Sequence, residues 1–255
     1  MVKPKKHLGQ HFLADKNIAL KIVESLSEAN KQVLEIGPGT GVLTQFLRSR
    51  SNIDFKVVEV DTESVEYLRV LYDDLQILHT DFLKLKLDDV FKGSIAIIGN
   101  FPYNISSQIF FKVLDYKDQV TEVVGMIQKE VAQRIASPPG SKQYGILSVL
   151  LQTYYDINYL FTVNEGVFIP PPKVKSAVIR LSRNERKELA CNEKLLVRVV
   201  KQAFNQRRKT LRNSLKSILL NLAIEPEILT RRPEQLSVEE FIKLTQQIES
   251  QMTGS

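Results

Sequence analysis

The chain has 255 residues, 43% apolar and 25% charged, the profile of a globular protein with room for one α/β domain of ordinary size plus a small appendage. Its one cysteine, Cys191, and its three histidines, His7, His11 and His79, show no metal-ligand spacing, which argues against a disulfide framework or metal site and for a reducing compartment. No apolar run approaches membrane-spanning length, and Lys3, Lys5, Lys6, Asp15 and Lys16 interrupt the first twenty residues, so neither secretion nor insertion is expected and the cytoplasm is the natural home.

In chain order, apolar runs near 33–36, 55–60, 75–78, 95–99 and 120–127 alternate with helical stretches near 41–50, 62–73, 105–115 and 128–136. That alternation predicts a parallel sheet wrapped by helices. Ile157 to Val163 and Val174 to Leu181, joined by a proline loop, predict a terminal strand pair with one member antiparallel. The polar break Asn184 to Glu188 is the best domain boundary, dividing the chain into 1–185 and 186–255, and the pattern after it is helical.

The first run ends in Glu35-Ile36-Gly37-Pro38-Gly39-Thr40-Gly41, where glycines permit positive φ and close approach of backbone to a ligand. Val42 stands where a dinucleotide fingerprint needs glycine, and the Gly-Lys-Ser/Thr ending of a P-loop is missing. Glu35 would repel a pyrophosphate but could pair with a cationic ligand such as the amino acid end of S-adenosylmethionine. The second run ends at Glu59, placed to accept from ribose hydroxyls, and the third leads to Asp81, which either accepts from an adenine amino group or serves as a turn cap.

The fourth run ends at Asn100-Phe101-Pro102-Tyr103-Asn104. An adenine amino nitrogen is a poor nucleophile because its lone pair is delocalised into the ring. Acceptors aimed at its hydrogens stabilise the pyramidal transition state, and Asn100 Oδ1 and the Phe101 carbonyl are the candidates. Pro102 stiffens the turn and pushes Phe101 towards an extended conformation, and Tyr103 is placed to stack on the base.

Beyond 185 the charge is one-sided. No acid lies between Glu193 and Glu225, while Lys194, Arg198, Lys201, Arg207, Arg208, Lys209, Arg212 and Lys216 accumulate. Leu196, Val200, Phe204, Leu211, Leu215 and Leu219 recur as apolar stripes, leaving the basic side chains for the other faces as phosphate contacts or as a solvated surface. The arm Lys3-Pro4-Lys5-Lys6 is expected to be disordered when alone and to add phosphate contacts.

These motifs, with Leu8 to Leu13, Gln128-Lys129-Glu130-Val131, Phe168 to Val174 and Ala203 to Leu215, run over nearly the whole chain. Together they resemble the bacterial small-subunit (16S) ribosomal RNA adenine N6,N6-dimethyltransferases. The resemblance implies a Rossmann-like class I methyltransferase sheet with a small C-terminal all-helical domain. It implies S-adenosylmethionine as cofactor, lined by His11, Leu13, Gly37, Glu59, Asp81 and Asn100, and it gives His11 a place where many relatives carry Asn. It implies catalysis by Asn100 with Tyr103 and Phe168 flanking the target adenine, one of two adjacent adenosines near the 3′ end of that RNA. The expected partners are the RNA and a small-subunit precursor, met by a monomer. The related large-subunit methyltransferases that confer macrolide resistance share the Asn-x-Pro-Tyr turn; the Gln206 to Leu215 stretch favours the small-subunit group. An assembly factor in which catalysis is secondary is the alternative of a different class.

Overall fold

Runs that are apolar on both faces must be covered on both faces, and the computed structural model, which describes residues 2–219 and 224–253, places them in the middle of a layered α/β unit. In chain order its elements are β1 (Phe12–Leu13), α1 (Lys16–Glu24), β2 (Gln32–Ile36), α2 (Thr44–Leu47), β3 (Asp54–Glu59), α3 (Thr62–Leu71), β4 (Gln76–His79), α4 (Leu87–Val90), β5 (Ile95–Asn100), α5 (Ser106–Asp115), β6 (Val120–Gln128), α6 (Lys129–Ala136), α7 (Ile146–Tyr154), β7 (Tyr155–Val163), β8 (Phe168–Ile169), β9 (Ser176–Arg183), α8 (Glu193–Asn205), α9 (Leu211–Ser214), α10 (Pro226–Thr230) and α11 (Val238–Thr253). The seven-stranded sheet has the order β4-β3-β2-β5-β6-β9-β7. Its first five strands are parallel to one another, and β9 runs antiparallel to β6, as the late strand pair predicted.

This order fixes where a ligand goes. From β2 the chain winds outward through β3 to β4, then returns to the other side of β2 for β5 and β6. The carboxyl ends of β2 and β5 therefore meet at the topological switch point, the crevice where open α/β sheets bind ligands. Beneath it Val33, Leu34, Val57, Val58 and Ile95 to Ile98 are buried. Helix α1 covers this core with Ala19, Ile22 and Val23, and its first turn is capped by Asp15, whose carboxylate accepts from Asn17 N and Ile18 N.

The short helix α4 and the β1–β8 pair were not predicted, and two further elements differ from the sequence expectation. The predicted 41–50 helix is reduced to α2 and flanking turns. Helix α7 had no predicted counterpart: Leu147, Val149, Leu150, Leu151 and Tyr154 are all buried, so its apolar residues lack the one-sided spacing that reveals a surface helix.

The chain divides into two compact units. One runs to residue 132 and takes 156–183; the other takes 133–155 together with the residues described from 184 on. The chain thus crosses between units beside the polar break at 184–188, and the second unit also owns α7. Within that unit the rings of Tyr144, Phe204 and Phe241 pack in series, with centroids 6.2 and 6.0 Å apart. The charge pattern is realised there: Leu196, Val200, Leu211 and Leu215 are buried, whereas Lys194, Arg198, Lys201, Arg208, Lys209, Arg212 and Lys216 are exposed. Arg207 differs, donating to the carbonyls of Ser141 and Lys142 in its own unit.

Candidate active site

A cavity of about 830 Å³, open mouth included, lies at the switch point and is walled by the turns after β2, β3, β4 and β5 together with the segment Leu8 to Phe12. His11, Gly37, Glu59, Asp81, Asn100 and Tyr103 all line it. The sequence signals had come from five separate stretches, and the sheet order brings them to one place.

The glycine turn is held from below and from the side. Gly37 N donates to Val58 O at 2.9 Å, and Gly39, at φ +54, accepts the ring of Phe12 against its backbone; a Cβ there would sit 2.7 Å from that ring. Glu59, only 4% exposed, folds its carboxylate under the turn and accepts from Gly39 N at 3.1 Å, Val60 N at 2.8 Å and Asp61 N at 2.9 Å. Burial raises its pKa against the pull of these amides. A carboxylate offers about four acceptor positions, so one remains for a ligand hydroxyl.

Glu35 does something else. Its side chain is 1% exposed, lies outside the cavity lining and accepts from Thr44 Oγ1 at 2.7 Å. Burial pushes its carboxyl up to about 8, with the nearby Glu59 adding to the shift. It therefore cannot present a carboxylate to a cationic ligand in the cavity as expected.

At the end of β5, Asn100 Nδ2 donates to His11 O at 2.9 Å. This fixes the amide orientation and leaves Oδ1 as an acceptor at the cavity wall. The next residue anchors the turn: Phe101 is 1% exposed, its N donates to Met126 O at 3.0 Å, and its ring lies against Gly125, where a Cβ would be 2.6 Å away. Tyr103 stacks on His11 with centroids 5.5 Å apart and shares a 2.5 Å hydrogen bond with Ser176 Oγ. His11 in turn points Nδ1 at Pro170 O, 2.8 Å away; because a carbonyl only accepts, Nδ1 carries the proton.

The N-terminal arm is not disordered. Lys5 pairs with the buried Asp61, Lys5 N donates to Gln10 Oε1 at 2.8 Å, and Lys6–Leu8 forms a 3-10 turn. A long-range acid, invisible to local composition, captures it. Burial raises Asp61, but bonds from Lys5, Ser64 and Gln10 outweigh that effect and hold it below the usual carboxylate range.

Two predicted residues lie elsewhere. Leu13 and Phe168 face each other across the β1–β8 pair, are 3% and 2% exposed and belong to the core cluster under α1. Strand alternation explains this: Phe12 and Ile169 point away from that core, so Leu13 and Phe168 point into it. In this structure the Phe168 ring is not presented to the cavity. Conversely, Gln10, Phe12 and Val60 line it without having been singled out; Val60, an apolar side chain 49% exposed, offers a flat contact for a purine.

The model of the ribosomal RNA adenine dimethylase family matches residues 1–247. The chain belongs to this family. It is 60% identical to the ribosomal RNA small subunit methyltransferase A of Parabacteroides distasonis, covering 96% of this chain and 94% of that protein. It is 59% identical to the protein of the same name from Cytophaga hutchinsonii, covering 96% of each. Among solved structures, a dimethyladenosine transferase from Plasmodium falciparum is 25% identical with a TM-score of 0.76, over 92% of this chain and 96% of that one. The 23S rRNA methyltransferase ErmE, 23% identical with a TM-score of 0.67 over 92% and 99%, shares the fold.

As a ribosomal RNA adenine dimethylase the chain uses S-adenosylmethionine, and the cavity fits that group. The Gly37 to Gly41 backbone leaves room for an amino acid end, Glu59 keeps an unused acceptor position for a ribose, and Asp81 beside Val60 suits an adenine. Asp81 Oδ1 accepts from Leu83 N at 2.9 Å, which leaves Oδ2 for an amino group.

Proposed function

We propose that this ribosomal RNA methyltransferase dimethylates N6 of two adjacent adenosines near the 3′ end of small-subunit RNA. It works as a cytoplasmic, metal-free monomer on a small-subunit precursor, and its 186–255 region, with 133–155 beside it, holds RNA phosphates. The names of the relatives from Parabacteroides distasonis and Cytophaga hutchinsonii support the choice of subunit. The exposed basic side chains of α8 and α9 support the RNA contact.

The observation that carries the chemistry is the Asn100 Nδ2 to His11 O bond. S-adenosylmethionine supplies an electrophilic methyl group on a sulfonium. The protein's part is to orient the amino nitrogen and favour its pyramidal form. Asn100 Oδ1 accepts one amino hydrogen and the Phe101 carbonyl the other, so the lone pair is turned out of conjugation and towards the methyl carbon. Tyr103, already held by stacking on His11 and by Ser176, receives the base face at a cost in side-chain freedom that folding has met. The methylated nitrogen is cationic and releases its proton to water, so no strong base is required. In this reading Phe168 acts from the core, by fixing the strand that carries Ile169 and Pro170 behind His11.

The test is methyl transfer from labelled cofactor to small subunits that lack the modification. Asn100→Ala should lose about 10²–10³ in kcat, the scale of one transition-state hydrogen bond, with a folded protein and the products mapped by mass spectrometry. Retained activity in that variant, or methylation confined to large-subunit RNA, would overturn the reading.

A further inference from the structure

Asp81 does not stand on a strand or a helix but on an isolated turn. Lys84 N and Leu85 N donate to Asp81 O at 3.0 and 3.1 Å, while Leu83 N donates to the Asp81 carboxylate. A single turn of this kind is weak by itself: Leu85 N also returns to Phe82 O at 3.2 Å, but the carbonyls of Leu83 and Leu85 point onward beyond the turn.

One side chain meets those carbonyls. Lys112, on α5 and 9% exposed, donates through Nζ to Phe82 O at 2.6 Å, to Leu83 O at 3.1 Å and to Leu85 O. An ammonium has three N–H donors, and here all are spent on one turn. The Phe82 ring lies 5.0 Å from the same nitrogen and the Tyr116 ring 5.8 Å. Burial lowers the ammonium's pKa, and the charges of Asp81 and Asp115 offset part of that effect. The charge has been taken out of water to hold the backbone that carries Asp81.

We propose that Lys112 is a positioning residue for the adenine end of the cofactor: by tying Phe82, Leu83 and Leu85 it holds the Asp81 carboxylate towards the cavity as an acceptor for the 6-amino group, and so sets nucleobase selectivity. The inference rests on Asp81 being that acceptor. A hypoxanthine base carries an oxygen at position 6 in place of the amino hydrogens and keeps only N1–H as a donor on that edge, so the two bases differ in what they offer an acceptor placed for the 6-amino group. Arginine is not an equivalent substitute, because its planar fork cannot place three donors at one point.

The test is calorimetric titration of S-adenosylhomocysteine and its inosyl counterpart into the whole protein, alongside Asp81→Ala, Lys112→Met and Lys112→Arg, with amide exchange read at Leu83 to Leu85. Wild type should prefer the adenine ligand, and Asp81→Ala should abolish that preference; if the preference survives, the reading of Asp81 fails and the inference fails with it. With Asp81 upheld, Lys112→Met should weaken the adenine ligand about tenfold, equivalent to ~1.4 kcal/mol, while binding of the inosyl ligand stays as it was. Faster exchange at Leu83 to Leu85 should accompany the loss. A Lys112→Met protein that is less stable yet keeps the wild-type ratio of the two affinities would reduce Lys112 to a structural lysine. Should Lys112→Met not fold, Lys112→Arg decides: a lowered ratio upholds the proposal and an unchanged ratio overturns it.

Discussion

The ends of β2 and β3 lie side by side in register, and each carries a buried glutamate, yet the two carboxyls have opposite uses. Glu59 is met by three backbone amides and lines the cavity. Glu35 is met by a single hydroxyl and has its pKa pushed up to about 8. The difference shows that a strand-end acid is made into a ligand group by the donors that surround it, not by its place in the strand. Amide hydrogen bonds keep an ionised carboxylate usable at low exposure; without them, burial favours the neutral acid.

Of the changes that bear on this pair of acids, the largest effect is expected at Glu59. Glu59→Ala leaves the amides of Gly39, Val60 and Asp61 without their acceptor and removes the carboxylate position proposed for the ribose, so cofactor affinity should fall by about 100-fold, or ~2.7 kcal/mol. Calorimetry with S-adenosylhomocysteine reads it, and near-normal binding would erase the distinction between the two acids. Gly125→Ala should come next. A Cβ 2.6 Å from the Phe101 ring displaces the turn that bears Asn100, so kcat should drop roughly tenfold, about 1.4 kcal/mol, with cofactor binding less affected.

A pH effect separates the acids further. The folded pKa of Glu35 is about 8 against an ordinary 4.5, so its contribution to stability is fully present below pH 4.5 and is lost as pH rises towards 8. Thermal unfolding of Glu35→Gln between those limits should show a flatter dependence and a higher midpoint than wild type near pH 8. The slope that survives in the variant belongs in part to Glu59, whose pKa is also raised. A wild-type profile unchanged by the substitution would show that Glu35 is ionised when folded. Smallest of all, Thr44→Val removes the hydroxyl that lowers the Glu35 pKa; it should cost about 1 kcal/mol and move the window upward in pH.

How much of this could be read from the chain depended on whether the signal was local. The turns at Gly37 to Gly41 and Asn100 to Tyr103 were legible because glycine and proline dictate backbone geometry where they stand. The face of Glu35 was not: its strand neighbours Leu34 and Ile36 are buried, as is Val33, so a strand covered on both sides gives no alternation from which to tell inward from ligand-facing. Helix α7 escaped for the same reason. Lys5 read as part of a disordered arm because its partner, Asp61, is distant in sequence, and Lys112 was unremarkable until three carbonyls were found around it. Phe168 had the right chemistry for stacking; the pairing of β1 with β8 turned it inward.

That last pairing bears on how the molecule is made. Phe12 pairs with Ile169, so the wall that carries His11 is translated well before its partner strand and finds it only after most of the sheet has followed. The contact that orients Asn100 also waits on this segment. The cavity wall thus closes through a pairing of two segments far apart in the chain, and nascent chains that stop short of residue 169 should carry the sheet's first five strands without a closed cavity.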